Sequence, residues 1–347
     1  MSGKLSPASM VLGLCLLVLQ TPRFKEVASI RGTSEPTQLI WRPRTHELWY
    51  KIDNTLTVWP SGRPIHLPNP RSHIVSFSPS GSKVLLSDSD LNTSTEYDLR
   101  TKKLTPLKGE VSSASWKGEK LWWIEDEHRS KAQQWLCTAK SRRLLPSKWW
   151  IGAFQIASGL AIGRDRAHLS AATILRFDLH SLKLTPFKKL NGISEYPSCD
   201  YVDWNPKLKL GIATYSGDSG GTTCSMEVFS ARRSKGPTGY AFVEGGPDWF
   251  GSQVAVDLRD FEDIGPHTNG SDTYSIVLLD PHTMKPHVIA QRIVKFLPWK
   301  TEDEADKSGD ARMTADRFGG LVASPEGYIA YTSRTKGSWK IHIIKRT

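Results

Sequence analysis

The stretch "VSFSPSGSKVLLSDSD" (residues 75–90) alternates apolar and polar residues, breaks at Ser-Pro-Ser-Gly, resumes, and dissolves into Ser and Asp. Alternation with period two marks a strand. Pro79 followed by Gly81 is turn chemistry, because proline presets φ and glycine tolerates positive φ. The spacing therefore predicts an inner strand over 73–78, a tight turn, a second strand over "KVLLSD" (83–88), and a polar connection to a third strand in "TSTEYDL" (93–99). A near copy, "LVASPEGYIAYTSRTKG" (321–337), stands close to the other end of the chain.

The same pattern recurs along the chain. "EYDLRTKKLTPL" (96–107), "RFDLHSLKLTPF" (176–187) and "LLDPHTMKPHVI" (278–289) each read as a strand ending in Asp, a short polar turn, Lys and another strand. A second series places an aromatic residue beside a Pro or Gly turn at Trp41, Phe77, Trp116, Phe154 and Trp204, at intervals of 36 to 50 residues. Less regular copies follow in "DWFGSQVAV" (248–256) and "LVASPEG", which makes seven units. Four short strands per unit of about 40–45 residues is the arithmetic of a propeller blade. The predicted fold is all-β, a single seven-bladed β-propeller over residues 23–347, with six or eight blades as the alternatives. The last unit supplies three strands before the chain ends. "RFKEVASIR" (23–31) belongs to no unit of its own and is predicted to pair with residues 338–346, sealing two strand edges that otherwise invite aggregation.

The two best copies, 77–107 and 323–345, resemble the repeats of TolB-type, WD-like propellers. Ser80 and Glu326 stand where that family's turn carries Asp, and Leu91-Asn92 where it carries Gly-Asn. The chain has no room for the two-layer N-terminal domain of TolB itself. The resemblance implies a propeller fold and a cell-envelope setting, and does not carry over the partner of TolB.

The N-terminus agrees with that setting. Lys4 precedes "MVLGLCLLVL" (10–19), ten apolar residues without a charge. A spanning helix needs about 20 apolar residues, whereas the apolar region of a secretory signal is shorter. Residues 1–22 are thus read as a signal peptide or short membrane-targeting segment, and the protein as exported, periplasmic or extracellular. Of the four cysteines, Cys15 lies in that segment. Cys137, Cys199 and Cys224 lack the spacing of a metal or redox site; Cys199 and Cys224 could meet within one unit.

The chain has 46 Lys+Arg against 35 Asp+Glu, a net +11. Its basic residues are scattered over predicted turns ("TKK" 101–103, "SRR" 141–143, "ARRSK" 231–235) rather than gathered on one face, so no nucleic-acid partner is expected. "YSGDSGGTTC" (215–224) echoes the nucleophile region of chymotrypsin-type proteases around Ser219. None of the upstream histidines carries that family's flanking residues, and the repeat register makes the segment a turn. Asp88, Asp90 and Asn92 alternate as calcium ligands would, but Thr93 and Leu99 occupy the places an EF-hand gives to Gly and Glu. A solvated turn is the favoured reading, with these three as minor metal candidates. No cofactor is expected.

Binding candidates come from the 13 tryptophans. In the pairs Trp122-Trp123 and Trp149-Trp150 one ring is expected to pack between blades while its neighbour is exposed for peptide or glycan contact. Trp123, Trp150, His128 in "WWIEDEHRS" (122–130) and Trp299 are the candidate binding residues. Trp299 opens a charged insertion, 299–317. The expected function is a monomeric, non-catalytic, extracytoplasmic scaffold that binds a protein, peptide or glycan at one face of the ring. The alternative is a propeller hydrolase or lyase, which would bring His with Asp or Glu from several blades together at the central funnel.

Overall fold

The structure, a computed structural model, describes residues 23–347 apart from 89–92, 128–132, 191–197, 217–223, 231–233, 236–241, 244–246, 262–269 and 297–317. Among the described residues there are strands and turns and no helix. After β1 (Phe24–Gly32), β2 (Gln38–Trp41), β3 (Leu48–Ile52), β4 (Thr55–Trp59) and β5 (Arg63–Ile65) form blade 1. Blade 2 is β6 (His73–Phe77), β7 (Lys83–Asp88), β8 (Thr93–Asp98) and β9 (Leu104–Pro106). Blade 3 follows with β10 (Glu110–Lys117), β11 (Lys120–Glu127), β12 (Gln133–Thr138) and β13 (Ser141–Leu144). Blade 4 is β14 (Trp149–Gln155), β15 (Leu160–Asp165), β16 (His168–Phe177) and β17 (Leu184–Lys189).

Blade 5 contains β18 (Ser198–Asn205), β19 (Leu210–Ser216), β20 (Cys224–Phe229) and a two-residue outer strand, β21 (Ser234–Lys235). The short β22 (Phe242–Val243) pairs with both β20 and blade 6, so the two blades form one continuous sheet. Blade 6 is β23 (Asp248–Phe250), β24 (Gln253–Phe261), β25 (Gly270–Leu279) and β26 (Pro286–Phe296). The ring ends with β27 (Phe318–Ala323), β28 (Tyr328–Thr335) and β29 (Ser338–Arg346), and β1 completes blade 7. The pairing is antiparallel from Phe24↔Arg346 to Gly32↔Trp339. The predicted closure by the two tails is thus present, as are the predicted boundaries of β7 and the seven units.

The repeated turns are one device used many times. In Ser78–Gly81 the Gly81 amide donates to the Ser78 carbonyl at 2.8 Å, and in Ser324–Gly327 the Gly327 amide donates to the Ser324 carbonyl at 3.1 Å. Gly81 has φ +70°, and a Cβ there would come within 2.9 Å of the Pro43 carbonyl oxygen. Only glycine fits. The turns at Asp98, Asp178 and Asp280 are likewise superposable in logic. Each carboxylate accepts two backbone amides, from Arg100 and Thr101, His180 and Ser181, or His282 and Thr283. This Asx-turn chemistry is why Asp recurs where the third strand reverses into the fourth.

The core sits between blades. Each face of each sheet meets a neighbour, and seven apolar clusters fill the seven interfaces of the ring, from Trp49, Val58 and Val84 between blades 1 and 2 to Leu48, Ile341 and Ile343 between blades 1 and 7. The inner strands are also stitched around the ring by hydrogen bonds. The Ile74 amide donates to Gln38 Oε1 at 3.2 Å, Trp116 Nε1 to Ser76 Oγ at 3.0 Å, and the Ile156 amide to Ser115 Oγ at 3.0 Å. Gln155 Nε2 donates to Asp203 Oδ1, and Asn205 Nδ2 to the Gly251 carbonyl at 3.3 Å. The Ala323 amide donates to Asp248 Oδ2 at 2.9 Å, and Trp41 Nε1 to the Val322 carbonyl at 3.2 Å. Every adjacent blade pair is covered. Because these donors and acceptors would otherwise be desolvated without partners, their pairing fixes the register of one blade against the next.

Candidate functional site

A cavity of about 920 Å³ forms a groove between blades 4 and 5. It lies at the end of the ring where first strands turn into second strands and third into fourth, since Ser158, Gly159, Asp178 and Lys209 all line it from such turns. Its volume falls in the range of small-molecule and peptide pockets. Phe177, Phe187 and Trp204 line the groove's wall, with Phe229 packed behind them. Phe187 of β17 and Trp204 of β18 meet edge to face at 6.4 Å, and Trp204 lies 6.0 Å from Phe229 of β20. Phe229 is fully buried, and Gly211 makes room for it, because a Cβ at 211 would sit 2.2 Å from the ring. Phe187 and Trp204 are only half-buried, so apolar ring surface faces the groove.

Around that wall stand three cations. The Arg176 guanidinium lies over the Phe187 ring at 4.6 Å. Lys183 and Lys209 line the same groove and are exposed. Among the described residues none of the three forms an ion pair. Asp178 also lines the groove, but its carboxylate is turned back onto its own turn, where the Ser181 and His180 amides hold it below the usual carboxylate range.

A second groove occupies the equivalent place between blades 2 and 3, with a volume of about 360 Å³. There the acids are already paired: Glu96 with Lys83 at 2.7 Å, and Glu125 with Arg142 at 2.9 Å. Repeat alignment sets Glu96 against Arg176 and Leu107 against Phe187. Those two differences give the blade 4 groove its cation and its ring. Sequence reasoning missed this site because no motif marks it; the legible signal was the point at which two otherwise matching repeats diverge.

The residues singled out by sequence fare unevenly. Trp123 is a correction: it is buried, 4% exposed, in the cluster with Leu85, Trp116 and Cys137 between blades 2 and 3. The half-buried member of that pair is Trp122, which packs toward blade 4 with Lys120 4.4 Å over its ring. Strand alternation cannot choose between them, since both faces of a blade are interfaces. Trp150 is half-buried and carries the Arg166 guanidinium at 4.9 Å, while its neighbour Trp149 is buried. Asp88 is 5% exposed and accepts a hydrogen bond from Asn69 Nδ2, which makes it a partner of the loop before β6. Asp90, Asn92, His128, Trp299, Ser219 and the 299–317 insertion lie outside the described residues, as does 1–22. Cys199 and Cys224 are on β18 and β20 with β19 between them. Cys137 is a buried free thiol, pushed up to about 12 by burial and by the Glu125 carboxylate.

Two polar constellations test the enzyme alternative. On the inner strands, Asp203 and Asp248 of blades 5 and 6 lie near one another, with Tyr201 hydrogen bonded to Asp203. Burial and the neighbouring Asp203 charge push Asp248 up to about 6. Both carboxyls serve as acceptors in the blade-to-blade stitching, and neither meets a histidine among the described residues. In blade 7, Ser333 Oγ lies 2.7 Å from His342 Nε2, and His342 Nδ1 lies 3.0 Å from Glu26 Oε1. The order matches a nucleophile, base and orienting acid. Ser333, however, is 4% exposed in mid-strand, and Tyr331 stacks on the imidazole at 4.8 Å. The three residues come from β28, β29 and β1, so they clamp the closing strand to the ring.

No family profile and no curated protein sequence matches the chain. Among solved structures, the chain is similar to the β-propeller domain of Cps50 (Swd1) from Myceliophteria thermophila, with a TM-score of 0.55, 10% identity, and coverage of 94% of this chain and 100% of that one. It is also similar to the WD40 repeats of RRP9 (TM-score 0.53, 10% identity, 93% and 100% covered) and to U3-55K (TM-score 0.52, 11% identity, 90% and 98% covered). The protein shares the architecture of WD40 propellers.

Proposed function

We propose that the protein is a non-catalytic binding scaffold that works outside the cytoplasm and holds a protein or peptide partner in the groove between blades 4 and 5. The observation that carries this reading is the combination, in one cavity of about 920 Å³, of half-buried rings at Phe187 and Trp204 with cations at Arg176, Lys183 and Lys209 that form no ion pair among the described residues. Exposed aromatic ring surface is costly to leave in water, and aromatic residues with arginine are the composition that partner-binding surfaces favour; the two lysines add charge at the rim. The WD40 likeness supports it, since the chain has the rigid ring on which such surfaces are displayed. The export segment 10–19 and the TolB-like turns at 78–81 and 324–327 support an envelope location.

The test is site-specific crosslinking. A photoreactive amino acid at Thr185, on the groove wall, should crosslink a partner in envelope extract. The same probe at Arg63, on the outer strand of blade 1, should not. Equal capture at both positions, or capture only at Arg63, would remove the groove from the account.

A further inference from the structure

We infer that the groove's occupant is an acidic peptide segment, one that sets an aromatic or aliphatic side chain between carboxylates. The inference rests on the groove being the binding site and names what it selects. Arg176, Lys183 and Lys209 surround the aromatic wall from three different turns or strands, and none is neutralised by a carboxylate among the described residues. Asp178 is the one acid lining the cavity among the described residues, and it is occupied by the His180 and Ser181 amides. A ligand carboxylate therefore finds free donors at the rim, while its apolar residue covers Phe187 and Trp204. Arg176 is fixed on the Phe187 face at 4.6 Å, which leaves the edge of its planar fork for a carboxylate.

The equivalent groove between blades 2 and 3 differs in charge. It has Glu96 where this one has Arg176, and Glu96 is consumed by Lys83. The acid-accepting character belongs to the blade 4–5 interface and is not a by-product of the repeat. The net +11 of the chain adds long-range attraction for acidic partners. Nucleic acid shares the negative charge but fits the cavity less well. Phe187 and Trp204 pack edge to face with each other rather than as a stacking platform for bases.

The experiment uses the full chain and a fluorescein-labelled hexapeptide, two apolar residues flanked by aspartate and glutamate, read by anisotropy at low and high salt. Controls are the same peptide with the acids replaced by their amides, and a single-stranded oligonucleotide of equal length. The acidic peptide is expected to bind, to weaken with salt, and to lose about tenfold or more in affinity in the double variant Lys183→Glu, Lys209→Glu. Thr185→Arg, which fills the groove, should abolish binding, and circular dichroism checks that each variant folds. If the amide peptide binds as tightly as the acidic one and Thr185→Arg still abolishes it, the acidic selectivity is wrong while the groove stands. If neither peptide binds, or Thr185→Arg leaves binding intact, the groove reading fails as well. Tighter binding of the oligonucleotide than of the acidic peptide overturns the inference in favour of nucleic acid.

Discussion

Asp248→Asn should make the protein more stable at neutral pH, and by a margin that the structure sets. Asp248 lies on the inner strand of blade 6, and its Oδ2 accepts the Ala323 amide of blade 7 at 2.9 Å. Burial, with the charge of Asp203 adding to it, raises its carboxyl from an ordinary 3.8 to about 6. In the folded protein the group keeps its proton up to that pH, while the unfolded chain releases it near 3.8. Between those values the unfolded state binds fewer protons, so stability falls as pH rises from about 4 to 6 and stays low above. Moving a carboxyl that far corresponds to about 3 kcal/mol. Asparagine retains an oxygen for the Ala323 amide and does not ionise. Urea unfolding followed by tryptophan fluorescence at pH 4, 5, 6 and 7.5 should show the variant gaining on the wild type through this window, to a difference of about 3 kcal/mol at pH 7.5. An asparagine variant that is no more stable than wild type at pH 7.5, or that keeps the wild-type slope between pH 4 and 6, would mean that Asp248 does not hold a proton in the folded blade.

Further outcomes follow from the same packing. Burial depresses His342 below the ordinary 6.5 despite its bond to Glu26; the unfolded chain therefore takes up a proton first as pH falls, and this residue's contribution declines below about 6.5. His342→Asn should flatten that part of the profile, which the same unfolding series reads. Gly211→Ala drives a methyl into the Phe229 ring, where the new Cβ would lie 2.2 Å away, and should destabilise by about 1–3 kcal/mol. It should also perturb Trp204 emission through the shared ring contact. Cys137, buried and pushed up to about 12, should resist alkylation by iodoacetamide at pH 8 until the protein is unfolded, as peptide mapping by mass spectrometry would show.

The fold was legible because each blade reverses direction with the same local chemistry. Pro79-Gly81 and Pro325-Gly327 set one turn, Asp98, Asp178 and Asp280 set another, and these local rules do not depend on what packs against them. The closing strand was legible by subtraction, since 23–31 had alternation and no unit of its own. Which tryptophan of a pair would be exposed was not legible. In a blade both faces are covered, so Trp122 and Trp123 enter the clusters on opposite sides of blade 3, and the difference between half-buried and buried depends on neighbours distant in sequence. The groove was hidden for the same reason. Ser158, Arg176, Phe187, Trp204 and Ser230 are brought together by two adjacent blades, and no contiguous segment carries the chemistry. The continuous sheet through β22 was also unforeseen, because a two-residue strand leaves no periodic trace.

The seven-bladed ring is fastened by its own ends, with Arg31 opposite Lys340 and Lys25 opposite Lys345. Its most direct test is a pair of cysteines at Arg31 and Lys340 oxidised under mild conditions. Cross-strand partners lie about 5 Å apart, so an intramolecular disulfide should form in the monomer. A pair at Lys25 and Lys340, displaced by five residues and so separated by about 17 Å along the strand, should stay reduced. Equal crosslinking of both pairs, or disulfides that form only between molecules, would contradict the ring.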